Sequence, residues 1–147
     1  MHPDSPKEPE PAGGRPDLAV IILTYNEEDN IAQALRSVYA QQLNGRIHVV
    51  VGVDRWQGER STLEALVAER PANVSVTVLD LGYSTARRNG AEYASQYGGA
   101  LKTTMSYAAN SRYITYLDDD NWNAPDHLAT MLAAIDGKDW AFSLRYF

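Results

Sequence analysis

The chain of 147 residues contains no cysteine, which removes disulfides, thiolate zinc sites and thiol catalysis together. Positive charge is also scarce. Thirteen Lys+Arg against nineteen Asp+Glu leave a formal charge of −6, a poor balance for gripping nucleic acid or an anionic membrane surface. Long apolar runs are missing: "LAVIIL", the longest early one, is far too short to cross a bilayer. Proline is concentrated at one end, with five of the seven inside "MHPDSPKEPEPAGGRPD". That segment, residues 1–17, has no apolar run and reads as a disordered tail, not a signal peptide. No ligand spacing unites the three histidines, which fall in the tail (His2), in a strand (His48) and on a helix (His127).

What is present fits one soluble domain over residues 18–147. An apolar fraction of 44% and a charged fraction of 22% are those of a globular chain able to bury a core, and a cytoplasmic location is the default expectation. "LAVIILTY" is a continuous β-branched run, the mark of a strand covered on both faces. Asn26 can cap the helix after it, where Ile31, Leu35 and Val38 share a face. A second strand, "RIHVVVGVD", ends at Asp54, and Ser61 with Glu64 has capping-box spacing at the start of the next helix. A third, "NVSVTVLD", ends at Asp80; Ser84 can cap a helix through "TARRNGAEYASQY". Gly98 and Gly99 break the pattern before a helical piece from Leu101 to Ala109. The strand "YITYLD", a helix between Pro125 and Gly137, and an apolar final strand "WAFSLRYF" complete the chain. This alternation predicts an α/β fold with a mostly parallel, right-handedly wound sheet, in which ligands bind beyond the carboxyl ends of the strands.

That edge collects Thr24, Tyr25 and Asn26 after the first strand, Asp54 after the second, and Asp118, Asp119 and Asp120 after the fourth. Adjacent carboxylates raise one another's pKa and destabilise a fold unless a cation or hydrogen-bond donors offset the repulsion. Something positive is therefore expected beside the triplet.

Four segments in order, "VIILTYNEEDNIAQALRSVYAQ", "VVVGVD", "ARRNG" and "YITYLDDDNWNAPDHL", resemble the nucleotide-binding half of a GT-A-fold glycosyltransferase of the family 2 type, over residues 18–136. The resemblance implies a Rossmann-like GT-A sheet flanked by helices and incomplete at its C-terminal side. It also implies an inverting transfer from a nucleoside-diphosphate sugar, a UDP-sugar favoured, to an acceptor it does not identify. By the same similarity Asp118 to Asp120 match the DXD element, with Asp120 the first choice and Asp118 the second for holding Mn²⁺ or Mg²⁺, and Asp118 or Asp119 meeting the ribose. Thr24, Tyr25 and Asp54 match positions around the nucleobase, and Arg87 a position on the base or diphosphate. Arg88 departs from the pattern, standing where the family carries Asn.

The family's catalytic base and acceptor surface lie after the DXD element, and only 27 residues follow Asp120 here, so no catalytic residue is assigned. A donor-binding portion of an enzyme and a non-catalytic nucleotide-binding module of the same fold both fit. A receiver-like module would need a lysine after a fifth strand, and none follows Lys138. A nucleotidyltransferase would need a Gly-rich, Arg-containing loop after the first strand, which "LTYNEED" is not. The apolar final strand would offer an unpaired edge to another chain, a route to a homo-oligomer.

Overall fold

A computed structural model describes residues 14–25, 28–54, 59–86 and 98–144. Its elements run β1 (Leu18–Thr24), α1 (Glu28–Tyr39), β2 (Ile47–Val53), α2 (Arg60–Ala68), β3 (Val74–Asp80), α3 (Gly99–Ala108), β4 (Tyr113–Asp118) and α4 (His127–Ala134). The four strands form one parallel sheet in the order β3-β2-β1-β4, so the α/β reading holds. Strand order reverses beside β1, because β2 and β3 are laid down on one side of it and β4 on the other. Register then fixes what meets at the carboxyl edge: Leu23 stands opposite Asp118 and Thr24 opposite Val53.

Alternation along the strands feeds two cores. Leu18, Val20 and Ile22 of β1 and Val49, Val51 and Val53 of β2 face one side, where Ile31, Leu35 and Val38 of α1, Leu63 and Leu66 of α2 and Leu128 of α4 cover them. Ala19, Ile21 and Val50 face the other side under Leu101, Met105 and Ala109 at α3. Gly52 makes that second contact possible. A Cβ there would crowd the Met105 thioether and lie 3.2 Å from Leu101 Cγ, so a side chain would force the α3 contact to repack.

Several local expectations are corrected. The helix after β2 begins at Arg60, with Glu59 as its N-cap and no side-chain capping bond, so Ser61 lies inside the first turn and the capping box does not form. The helix before β4 begins at Gly99, two residues earlier than read, with Gly98 at φ 68° as its N-cap, and the helix read through "TARRNGAEYASQY" lies outside the described residues from 87 onward. Within the final apolar segment, 140–144 makes no strand; Trp140 and Phe142 stack at 5.6 Å and both are exposed. In the segment read as a tail, residues 14–17 are tied to the amino edge of the sheet. Arg46 donates from its guanidinium to the carbonyls of Gly14 and Arg15, and its backbone N–H donates to Asp17 Oδ2. Residues 1–13 and the Asn26 cap lie outside the described residues. Among the described residues, no helix is long and apolar enough to cross a membrane.

Candidate functional site

In a parallel sheet the crevice at the reversal of strand order is where two loops part and a ligand can enter. Here it lies between the carboxyl ends of β1 and β4, which carry Thr24–Tyr25 and Asp118–Asp120.

The triplet turns sharply. The Asn121 N–H donates to the Asp118 carbonyl at 3.0 Å, closing a turn over Asp119 and Asp120. Beyond the turn the chain is stapled to the end of α1. Gln41, only 8% exposed, donates from Nε2 to the Ala124 carbonyl at 2.7 Å and accepts the Leu128 N–H on Oε1 at 2.9 Å. The Gln42 N–H meets the Pro125 carbonyl at 2.7 Å, and the Asn123 N–H meets Ser37 Oγ at 3.1 Å. The acidic turn is thus held by β4 on one side and by α1 on the other.

Each carboxylate has a different environment. Asp118 accepts an ion pair from Lys102 Nζ at 2.9 Å, with the two side chains 45% and 30% exposed. Asp119 is half-buried and takes the Tyr25 N–H on Oδ2 at 3.4 Å. Burial pushes its carboxyl above the usual carboxylate range and the Asp120 charge adds to the rise, while the Thr24 hydroxyl and the Tyr25 N–H hold it back. Thr24 is fully buried, and its Oγ1, although it faces this carboxylate, completes no hydrogen bond of normal geometry. A buried hydroxyl left in that condition is costly unless something else completes it. Asp120 is exposed and accepts from Asn121 Nδ2 at 3.1 Å.

The cation that the acidic run demanded is therefore in part a lysine, one that sequence reasoning passed over. Lys102 is the only lysine between Lys7 and Lys138. It sits one position beyond Leu101, whose burial against the sheet turns Lys102 toward the β4 edge.

Asp54, the residue matched to the nucleobase, is 3% exposed and well supplied. Ser84 Oγ donates to its Oδ2 at 2.9 Å, and the Thr85 N–H and Oγ1 donate to its Oδ1 at 2.6 and 3.3 Å. Its own N–H donates to the Thr24 carbonyl at 2.9 Å, linking it to the crevice. Ser84 Oγ also accepts the Ala86 N–H at 3.1 Å, as a cap for a following turn would. Arg87 and Arg88 lie outside the described residues. The structure therefore brings Thr24, Tyr25, Asp118, Asp119 and Asp120 together, sets Asp54 one strand away, and adds Lys102.

Among the described residues no three carboxylate or imidazole groups form a ready-made metal cage. A hard divalent cation that shares a diphosphate needs only one or two protein carboxylates. Asp120, exposed on the turn, suits that sharing. Asp118, the second choice as ligand, pairs with Lys102 through its Oδ1.

The glycosyl transferase family 2 model matches residues 19–143. The chain belongs to that family. It is 33% identical over 122 residues to the succinoglycan biosynthesis protein ExoO of Rhizobium meliloti (strain 1021), covering 82% of this chain and 30% of that protein. The fold matches that of S. aureus TarS 1-349 in complex with UDP at a TM-score of 0.66 and 20% identity, over 82% of this chain and 32% of that one. It also matches the mannosyltransferase PcManGT from Pyrobaculum calidifontis in complex with GDP-Man and Mn²⁺, at a TM-score of 0.61 and 25% identity, over 88% and 36%. The chain thus spans about a third of the length of these relatives. The GT-A assignment of the fold and the family 2 resemblance both hold.

Proposed function

We propose that this chain binds a nucleoside-diphosphate sugar, UDP-linked by preference, and forms the donor-binding part of an inverting family 2 glycosyltransferase. The observation that carries the reading is the meeting, at the reversal of strand order, of the Asp118–Asp120 turn with the Thr24–Tyr25 end of β1, where the Tyr25 N–H donates to Asp119 Oδ2 at 3.4 Å and Asp120 stays exposed. The bound states of the structural relatives support it: one holds UDP, another GDP-Man with Mn²⁺.

The residues divide the work as follows. Asp120 holds a Mn²⁺ or Mg²⁺ ion that, when bound, screens the charge on the departing diphosphate. Asp119 and Asp118 face the ribose hydroxyls, and the backbone and ring at Thr24 and Tyr25 flank the base. Arg87 offers a fork of donors to the diphosphate or the base. Asp54 reaches a ring N–H of the base only where the 84–85 turn yields one of its bonds, and otherwise supports the base side by fixing that turn.

Calorimetry of UDP binding tests the proposal. Wild-type affinity should fall by at least tenfold when EDTA replaces Mn²⁺, and Asp120→Ala should lose this dependence while unfolding at nearly the wild-type temperature. Equal affinity with and without the ion in the wild-type chain would overturn it.

A further inference from the structure

Lys102 is the one basic side chain seen to reach the acidic turn among the described residues, and it reaches it at ion-pair distance, 2.9 Å from Asp118 Oδ1. Its backbone is not free to drift, because Leu101 and Met105 on either side of it are buried against the sheet. Its side chain is 30% exposed, so its field at the neighbouring carboxylates is screened by water only in part. The carboxylate next to the paired one, Asp119, is half-buried and takes the Tyr25 N–H from the end of β1 at 3.4 Å, while Asp120 stays exposed, so the three carboxylates are not equivalent toward an arriving ion.

We propose that Lys102 is a built-in counter-ion that sets the divalent-cation affinity of this crevice. Resting on the donor-binding reading above, the proposal assigns it two actions. Its charge offsets that of the triplet before any ion arrives, so that the turn folds without a bound metal. Its bond to Oδ1 keeps Asp118 away from the ion, which leaves Asp120 as the carboxylate that takes it and Asp118 directed toward the sugar side of the donor. A cation site tuned in this way binds a free ion weakly and an ion already paired with a diphosphate well, because the diphosphate's charge answers both the ion and the lysine. Lys102 is a positioning residue in this account, acting through Asp118 and through its field.

The test uses Mn²⁺ alone, without nucleotide, titrated into the 147-residue chain and followed by electron paramagnetic resonance of the free ion. Lys102→Met should bind Mn²⁺ about three- to tenfold more tightly than wild type at low ionic strength, with the gain shrinking as salt is added. Lys102→Arg, which keeps the charge, should stay within about twofold of wild type. A variant that merely failed to fold would lose affinity, so the expected gain cannot come from damage. Unchanged or weaker binding by a folded Lys102→Met, with wild type binding normally, would overturn this inference alone. No Mn²⁺ binding by either chain, together with UDP binding indifferent to EDTA, would overturn the donor-binding reading and this inference with it.

Discussion

Asp54 and the Asp118–Asp120 turn lie at the same edge of the same sheet, yet they are finished in opposite ways. Asp54 is sealed, and three donors from residues 84 and 85 complete its carboxylate from within the chain. The triplet lies nearer the surface, where Asp118 pairs with Lys102, Asp119 takes the Tyr25 N–H, and the exposed Asp120 accepts from the neighbouring Asn121 side chain. A charge whose partners all come from the protein holds the fold together. An exposed charge at a strand-order reversal is one that a ligand can reach.

That contrast can be broken most directly at Asp54. Asp54→Ala removes the acceptor shared by the buried Ser84 hydroxyl and the part-buried Thr85 N–H and should cost about 1–3 kcal/mol of stability, read from the shift in urea midpoint at constant slope. A loss below about 0.5 kcal/mol would mean that this carboxylate is no more structural than the triplet. Asp119→Asn should act with the opposite sign. Burial raises the Asp119 carboxyl above its unfolded value, so the stability linked to it is present below the unfolded pKa and is lost as pH rises through the folded one. At neutral pH the ionised group is a burden, and the amide, still able to accept the Tyr25 N–H, should raise the melting temperature by about 1–3 °C. The gain should vanish in acid, and a lowered melting temperature at pH 7 would contradict it.

The smallest effect is expected far from both sites, at His48, whose Nε2 lies 2.9 Å from Thr77 Oγ1 between β2 and β3. Burial lowers its pKa from the ordinary imidazole value. The stability this gives is present above the unfolded pKa and is lost as pH falls through the folded one. Urea midpoints should therefore decline modestly between pH 7.5 and 5, and His48→Gln should flatten part of that decline. An identical pH profile for the variant would remove His48 as a contributor.

The strands were legible because a sheet buried on both faces demands unbroken β-branched runs, and "LAVIILT" and "IHVVVGV" supply them. The gathering of Thr24, Tyr25 and the triplet was legible too, since parallel winding leaves few alternatives for strand ends. The bonds from residues 84 and 85 to Asp54 were not, because they join positions 30 apart through a loop whose path no periodicity records. Lys102 was missed for a related reason: helix phase places it beside Leu101, but only the register between β1 and β4 tells which strand end it meets. The final strand was misread because apolar content alone does not make a ladder. Trp140, Phe142 and Leu144 are 69%, 69% and 84% exposed, with no strand partner among the described residues.

The Gln41 staple has a consequence for ligand capture. Its amide grips both Ala124 and Leu128, so the peptide leaving the triplet is already frozen in place by α1, and docking a donor there need not spend binding strength on immobilising it. Loosening that grip should slow nothing in the chemistry itself, yet it would tax every molecule that tries to settle in the crevice.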